Sequence, residues 1–179
     1  MTKTSTATGV LVIAMVLSAC AAQAGDDAGE VVAAGGVDFS ATLGVSNVAP
    51  GEVNTVHITG LCVEGADSGN VIAVEAAPDS GLVVRRFTVL EEMAEVGGAK
   101  QPFDKLGIPA DRNVVSHKCG KGVEGSALYV EIVPADGRSA FSPYLTIEGK
   151  VDGVEASFQY PLGLSLCVVG EADADFCRD

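Results

Sequence analysis

The chain has 179 residues, 24 of them acidic and 11 basic, for a formal net charge of −13 at pH 7. That length suits one ordinary domain with a substantial core. The charge repels phosphate backbones and anionic headgroups, so nucleic acid is excluded as a partner and the surface of the domain is not expected to hold a membrane by electrostatics.

Taken in chain order, the first element is the apolar run Val10 to Leu17, VLVIAMVL. Eight apolar residues suit a signal-peptide core and are too few to span a bilayer. The run closes on Leu17-Ser18-Ala19-Cys20. This tetrad resembles the bacterial lipoprotein signal, in which Leu, a small residue and Ala or Gly precede a Cys. The resemblance covers only the first twenty residues. It implies a signal peptide over 1–19, cleavage before Cys20, and acyl chains on the Cys20 sulfur and amine. It also implies a protein anchored by lipid in the cell membrane or outer membrane and facing the periplasm or exterior. Two or three such chains anchor strongly, because each buried methylene contributes roughly 0.8 kcal/mol. The segment before the run carries a single basic residue, Lys3, and Ala22-Gln23-Ala24 offers a conventional cleavage site as the competing reading.

Residues 20–36 follow as a tether: small, acidic and aperiodic, with nothing large enough to pack. As a coil they would hold a domain over 37–179 about 20 Å from the lipid surface. Four cysteines then remain besides Cys20, namely Cys62, Cys119, Cys167 and Cys177. An even number suits two disulfides in an oxidising compartment. Of the three pairings, Cys62 with Cys119 and Cys167 with Cys177 is favoured: the first two each end an apolar segment and the others bracket a short acidic tail. No C-x-x-C pair is present to suggest zinc.

From Val37 onward the apolar residues alternate with polar ones between turn residues, which predicts antiparallel strands with one wet and one buried face. In Val53 to Cys62 the strict alternation places Val56, Ile58 and Cys62 on one face and Thr55, His57 and Thr59 on the other. Further strands are predicted at Phe39–Val45, Val71–Ala76, Leu82–Leu90, Val114–Cys119, Ala127–Val133, Tyr144–Ile147 and Val154–Tyr160. Leu162–Val169 extends the last or forms a ninth. The expected fold is therefore all-β, an immunoglobulin-like antiparallel β-sandwich. The wide separation of Cys62 and Cys119 loosely resembles the inter-sheet disulfide of that fold, although there is no Trp and His117 stands where a tyrosine-corner residue would precede the second cysteine.

One long, partly helical insertion, Glu91 to Arg112, breaks the rhythm. Leu90, Met93, Ala94 and Val96 have helical spacing, and Pro102 with Gly107 can bracket one further turn. Its apolar residues Met93, Phe103, Leu106 and Ile108 either line a binding loop or cover a crossover between the sheets.

Motifs for chemistry are sparse. There is no G-x-S-x-G, S-x-x-K or H-E-x-x-H, and neither His57 nor His117 has a sequence neighbour that orients it as a base. Glu171 to Asp175 has alternating carboxylates but lacks the glycine turn of a dedicated calcium loop. Arg85-Arg86 puts two cations on opposite faces of one strand, so one of them must be shielded or lie at an edge. No catalytic residue, metal ligand or cofactor is assigned. The expected role is noncatalytic binding of an envelope protein or small ligand. The alternatives are an exported enzyme built from scattered histidines and carboxylates, and metal or solute delivery.

Overall fold

The computed structural model describes residues 29–34, 41–92, 99–171 and 174–177. The lipidation residue Cys20, and Met93 with the helical spacing around it, lie outside the described residues. Eleven strands are present among those that are described: β1 (Glu30–Ala33), β2 (Ala41–Val48), β3 (Asn54–Glu64), β4 (Gly69–Ala76), β5 (Leu82–Leu90), β6 (Val114–Val115), β7 (Ser126–Pro134), β8 (Ala140–Ser142), β9 (Leu145–Val151), β10 (Val154–Tyr160) and β11 (Leu162–Val168). Among the described residues the one α-helical turn is α1 (Phe103–Leu106).

One sheet has the order β1-β3-β7-β5 and the facing sheet the order β10-β9-β4-β6. If β1, β3, β4, β5, β7, β9 and β10 take the letters A to G, these orders read ABED and GFC with the two-residue β6 added beside C, the arrangement of an immunoglobulin constant-type sandwich apart from that addition. The core lies between them, where Leu128, Val130 and Ile132 of β7 meet Val71, Val74, Leu145 and Ile147 of the other sheet. A third sheet, β2-β11-β8, closes one side of the same core; in it β2 and β11 run parallel, whereas β11 and β8 are antiparallel.

The expected tether ends sooner than residue 36. Glu30–Ala33 pairs with Leu61–Glu64 of β3, and Val31 is 3% exposed. A small residue suffices there because it packs on glycines of the facing sheet: a Cβ built at Gly69 or Gly149 would lie 2.8 Å from Val31 side-chain carbons. Two strands, β1 and β8, are thus additional to the sequence expectation, and the strand expected over Val114–Cys119 shrinks to β6, with a single further bridge from Lys118 to Val63.

Both disulfides form as expected, Cys62 with Cys119 and Cys167 with Cys177. The first does not join the two sheets. Cys119 sits in the loop between β6 and β7, so the bond pins that loop along β3. The reason lies in β3 itself. A β-bulge at Ile58 shifts the register between His57 and Thr59, and beyond it the alternation changes phase. Leu61 and Val63 point into the core, while Cys62 turns outward with His57, not inward with Val56.

The insertion between β5 and β6 is a strap over the outer face of the β1-β3-β7-β5 sheet. At one end Ala99 and Thr55 exchange two backbone hydrogen bonds on β3. At the other end Val89 N–H donates to the Arg112 carbonyl and the Thr88 hydroxyl donates to the Pro109 carbonyl. Between them Pro102 precedes α1 and Gly107 ends it in the left-handed conformation, φ 69°, as the sequence predicts. Phe103 and Ile108 are buried against Ala127 and Tyr129, and Leu106 packs on the same cluster. Of the two readings of these residues, this packing fits the cover: β7 is a central strand, and Phe103, Leu106 and Ile108 lie over its outer face.

Candidate functional site

Beneath the strap the polar groups are matched. Glu131, 3% exposed, accepts hydrogen bonds from Arg86 Nε at 2.7 Å and Arg86 Nη2 at 2.8 Å, and from the Phe103 amide. The Arg86 guanidinium lies 5.3 Å from the Phe103 ring centroid and also meets Asp104 at 3.2 Å. Its bond to Glu131, followed by Asp104, keeps it protonated well beyond its ordinary range. A bulge between Val84 and Arg86 separates the two adjacent arginines: Arg86 turns in to Glu131, whereas Arg85 is exposed.

Further along the same face the described residues line a cavity of about 430 Å³. Its floor is Gly60 of β3 and Ala127 of β7, which are cross-strand neighbours. Two residues with almost no side chain leave the space. Gly60 is also required by contact, since a Cβ there would lie 1.7 Å from the Glu124 carbonyl oxygen. The walls bring together His57, His117, Glu91, Glu92 and Glu124, residues scattered over 68 positions of sequence. Pinning by Cys119 and by the bond from Val63 N–H to the His117 carbonyl, 2.8 Å, places His117 on this face. Both histidines of the chain therefore line one cavity.

His57 is not a solvated strand residue. It is half-buried, 5.0 Å from the Tyr129 ring centroid, and its buried Nε2 has no hydrogen-bond partner among the described residues. Desolvation lowers its pKa below the ordinary 6.5, with a backbone hydrogen bond at Thr59 acting the other way, so the ring is neutral at pH 7. His117 Nδ1 lies 3.0 Å from the Ser126 hydroxyl, which also accepts the Ser116 amide at 3.4 Å. Ser126 is fully buried, which withholds it from a substrate and leaves it the role of orienting His117. Glu91, Glu92 and Glu124 are exposed and have no side-chain hydrogen bond or ion pair among the described residues.

Among the described residues no three His, Cys, Asp or Glu side chains converge closely enough to hold a metal ion. The four paired cysteines are not thiolate ligands. Glu171, considered for calcium, instead accepts the Ser139 amide at 2.6 Å and meets Arg138 at 3.4 Å, contacts that lower its pKa. It fastens the tail beside the Cys167–Cys177 bond.

The chain matches no protein-family model and no curated protein sequence. Of the residues that form the cavity, sequence reasoning considered the histidines singly. Gly60, Glu124 and Ser126 carried no local signal, since only the bulge and the disulfide bring them together.

Proposed function

We propose that this chain is a lipid-anchored protein of the bacterial cell envelope with a noncatalytic binding role, and that it binds a small organic cation in the cavity of His57 and His117. The observation that carries the binding reading is that two imidazoles, and three carboxylates without a side-chain partner among the described residues, line one recess. Carboxylates gathered in a concave site focus negative potential and attract cations, and the uncharged His57 does not oppose them at pH 7. The unpartnered Nε2 adds a polar group suited to a ligand with N–H donors. Anchoring rests on Leu17 to Cys20, and the two disulfides suit the oxidising side of a membrane. Among the described residues no helix is long and apolar enough to cross a membrane.

The test uses the full chain carrying Cys20→Ser, followed by NMR with n-butylammonium and with acetate. The variant is expected to leave the membrane fraction, and butylammonium to shift the signals of His57, His117 and Glu124 while acetate does not. Retention on membranes after a high-salt wash contradicts the anchor. Equal effects of both ions, or none at the histidines, contradict the site.

The same convergence favours one second reading, an exported enzyme with neutral His57 as a general base. Binding is preferred because neither imidazole is hydrogen-bonded to a carboxylate among the described residues, and the hydroxyl beside His117 is buried. Hydrolysis of an ester or peptide panel that disappears in His57→Gln would reverse that preference.

A further inference from the structure

A second recess, about 490 Å³, lies on the other side of the loop between Cys119 and Gly125. Val123 lines both. The two differ in chemistry. The second is walled by Val32, Ala34, Val123, Phe158 and the Cys62–Cys119 bond, with Glu30 and Glu64 at its margin. Phe158, on the edge strand β10, is half-buried: it packs on the main core and also lines this recess.

The partition between them is a fixed part of the fold. A Cβ built at Gly125 would lie 2.5 Å from the Leu61 carbonyl oxygen, so the loop is seated directly on β3. Ala34, in the apolar recess, donates its amide to the carbonyl of Gly60, in the acidic one, at 2.9 Å. The two recesses therefore adjoin across Val123. Lys121, in the same loop, lines neither.

We infer that the ligand is an amphipathic amine whose ammonium group sits in the recess that Glu91, Glu92 and Glu124 line and whose hydrocarbon chain passes over Val123 into the recess at Phe158. This rests on the cation reading of the first cavity and adds the tail. Glu30 and Glu64 at the margin give the second recess the same sign of charge, which excludes a fatty acid and admits a cation from either side. No apolar surface elsewhere on the ligand is required.

The experiment is a calorimetric and NMR series with n-butyl-, n-hexyl- and n-octylammonium and 1-octanol on the Cys20→Ser full chain. Affinity is expected to rise about two- to fourfold per added methylene, the upper value being complete burial at 0.8 kcal/mol per CH₂. The longer amines should also shift Val32 and Phe158, and Phe158→Ala should flatten the series. If that variant fails to fold, the length dependence on the unsubstituted domain decides alone. Equal affinity for all three amines overturns the tail while leaving the cation site standing. Octanol binding as tightly as octylammonium also overturns it, because the recesses would then act separately. No binding of any amine removes the cation site and the tail with it.

Discussion

The outer face of the β1-β3-β7-β5 sheet has two halves that were built from the same strands and ended differently. Under the strap, every polar group named above is satisfied: Glu131 by Arg86 and the Phe103 amide, Thr55 by the Gln101 carbonyl, Thr88 by the Pro109 carbonyl. Around the cavity, and among the described residues, His57 Nε2 is buried without a partner and three exposed glutamates have no side-chain partner. The only other such buried atom among the described side chains is Asn54 Oδ1, which lines neither recess. Burying polar groups is tolerated when they are paired and costly when they are not. Matched groups hold the fold; unmatched groups in a recess are what a ligand can complete.

The largest effects should come from the parts that hold both halves in place. Replacing Cys62 and Cys119 by Ala should cost up to about 4 kcal/mol in denaturant titration, against roughly 3 kcal/mol for Cys167 and Cys177, because the first pair closes the longer loop. Only the first change should also weaken amine binding, since it releases the loop that carries His117. Phe103→Ala should cost about 3–5 kcal/mol and leave amine affinity unchanged in the folded fraction. A stable Phe103→Ala with altered binding would return the strap to the role of a recognition loop.

A smaller loss is expected from Arg86→Met, about 2 kcal/mol, below the usual cost of breaking a buried pair because a third of the arginine side chain is exposed. Smallest in stability is the triple change Glu91→Gln, Glu92→Gln, Glu124→Gln. It should shift the unfolding free energy by less than about 0.5 kcal/mol, as for exposed surface positions. It should nevertheless weaken butylammonium binding about tenfold, the sum of three exposed ion pairs. Comparable stability losses in both halves would erase the distinction between them.

Much of the sandwich was legible because alternation of apolar residues reports directly on which face is buried, and the disulfide pairing followed from where the cysteines fall among the strands. β1 was not, because Val31 and Ala33 look too small to pack until glycines 69 and 149 are known to face them. The candidate site was not legible at all. Strict alternation put Cys62 on the core side, and the single extra residue at Ile58 reverses that, carrying the disulfide and hence His117 to the face of His57. A bulge depends on cross-strand register, a nonlocal property that one strand's sequence does not encode.

The central claim, that the open half is a cation site, bears directly on the protonation of His57. Burial already lowers its pKa from 6.5, so in the unliganded protein stability should fall as pH drops through 6.5, where the unfolded chain takes up a proton that the folded one refuses. His57→Gln should remove that part of the pH dependence. The most direct measurement is an NMR titration of the His57 ring with and without saturating n-butylammonium. A bound cation opposes a second positive charge beside it, so the His57 midpoint should move still lower when the amine is present. A midpoint that is unchanged, or that rises, would contradict the account.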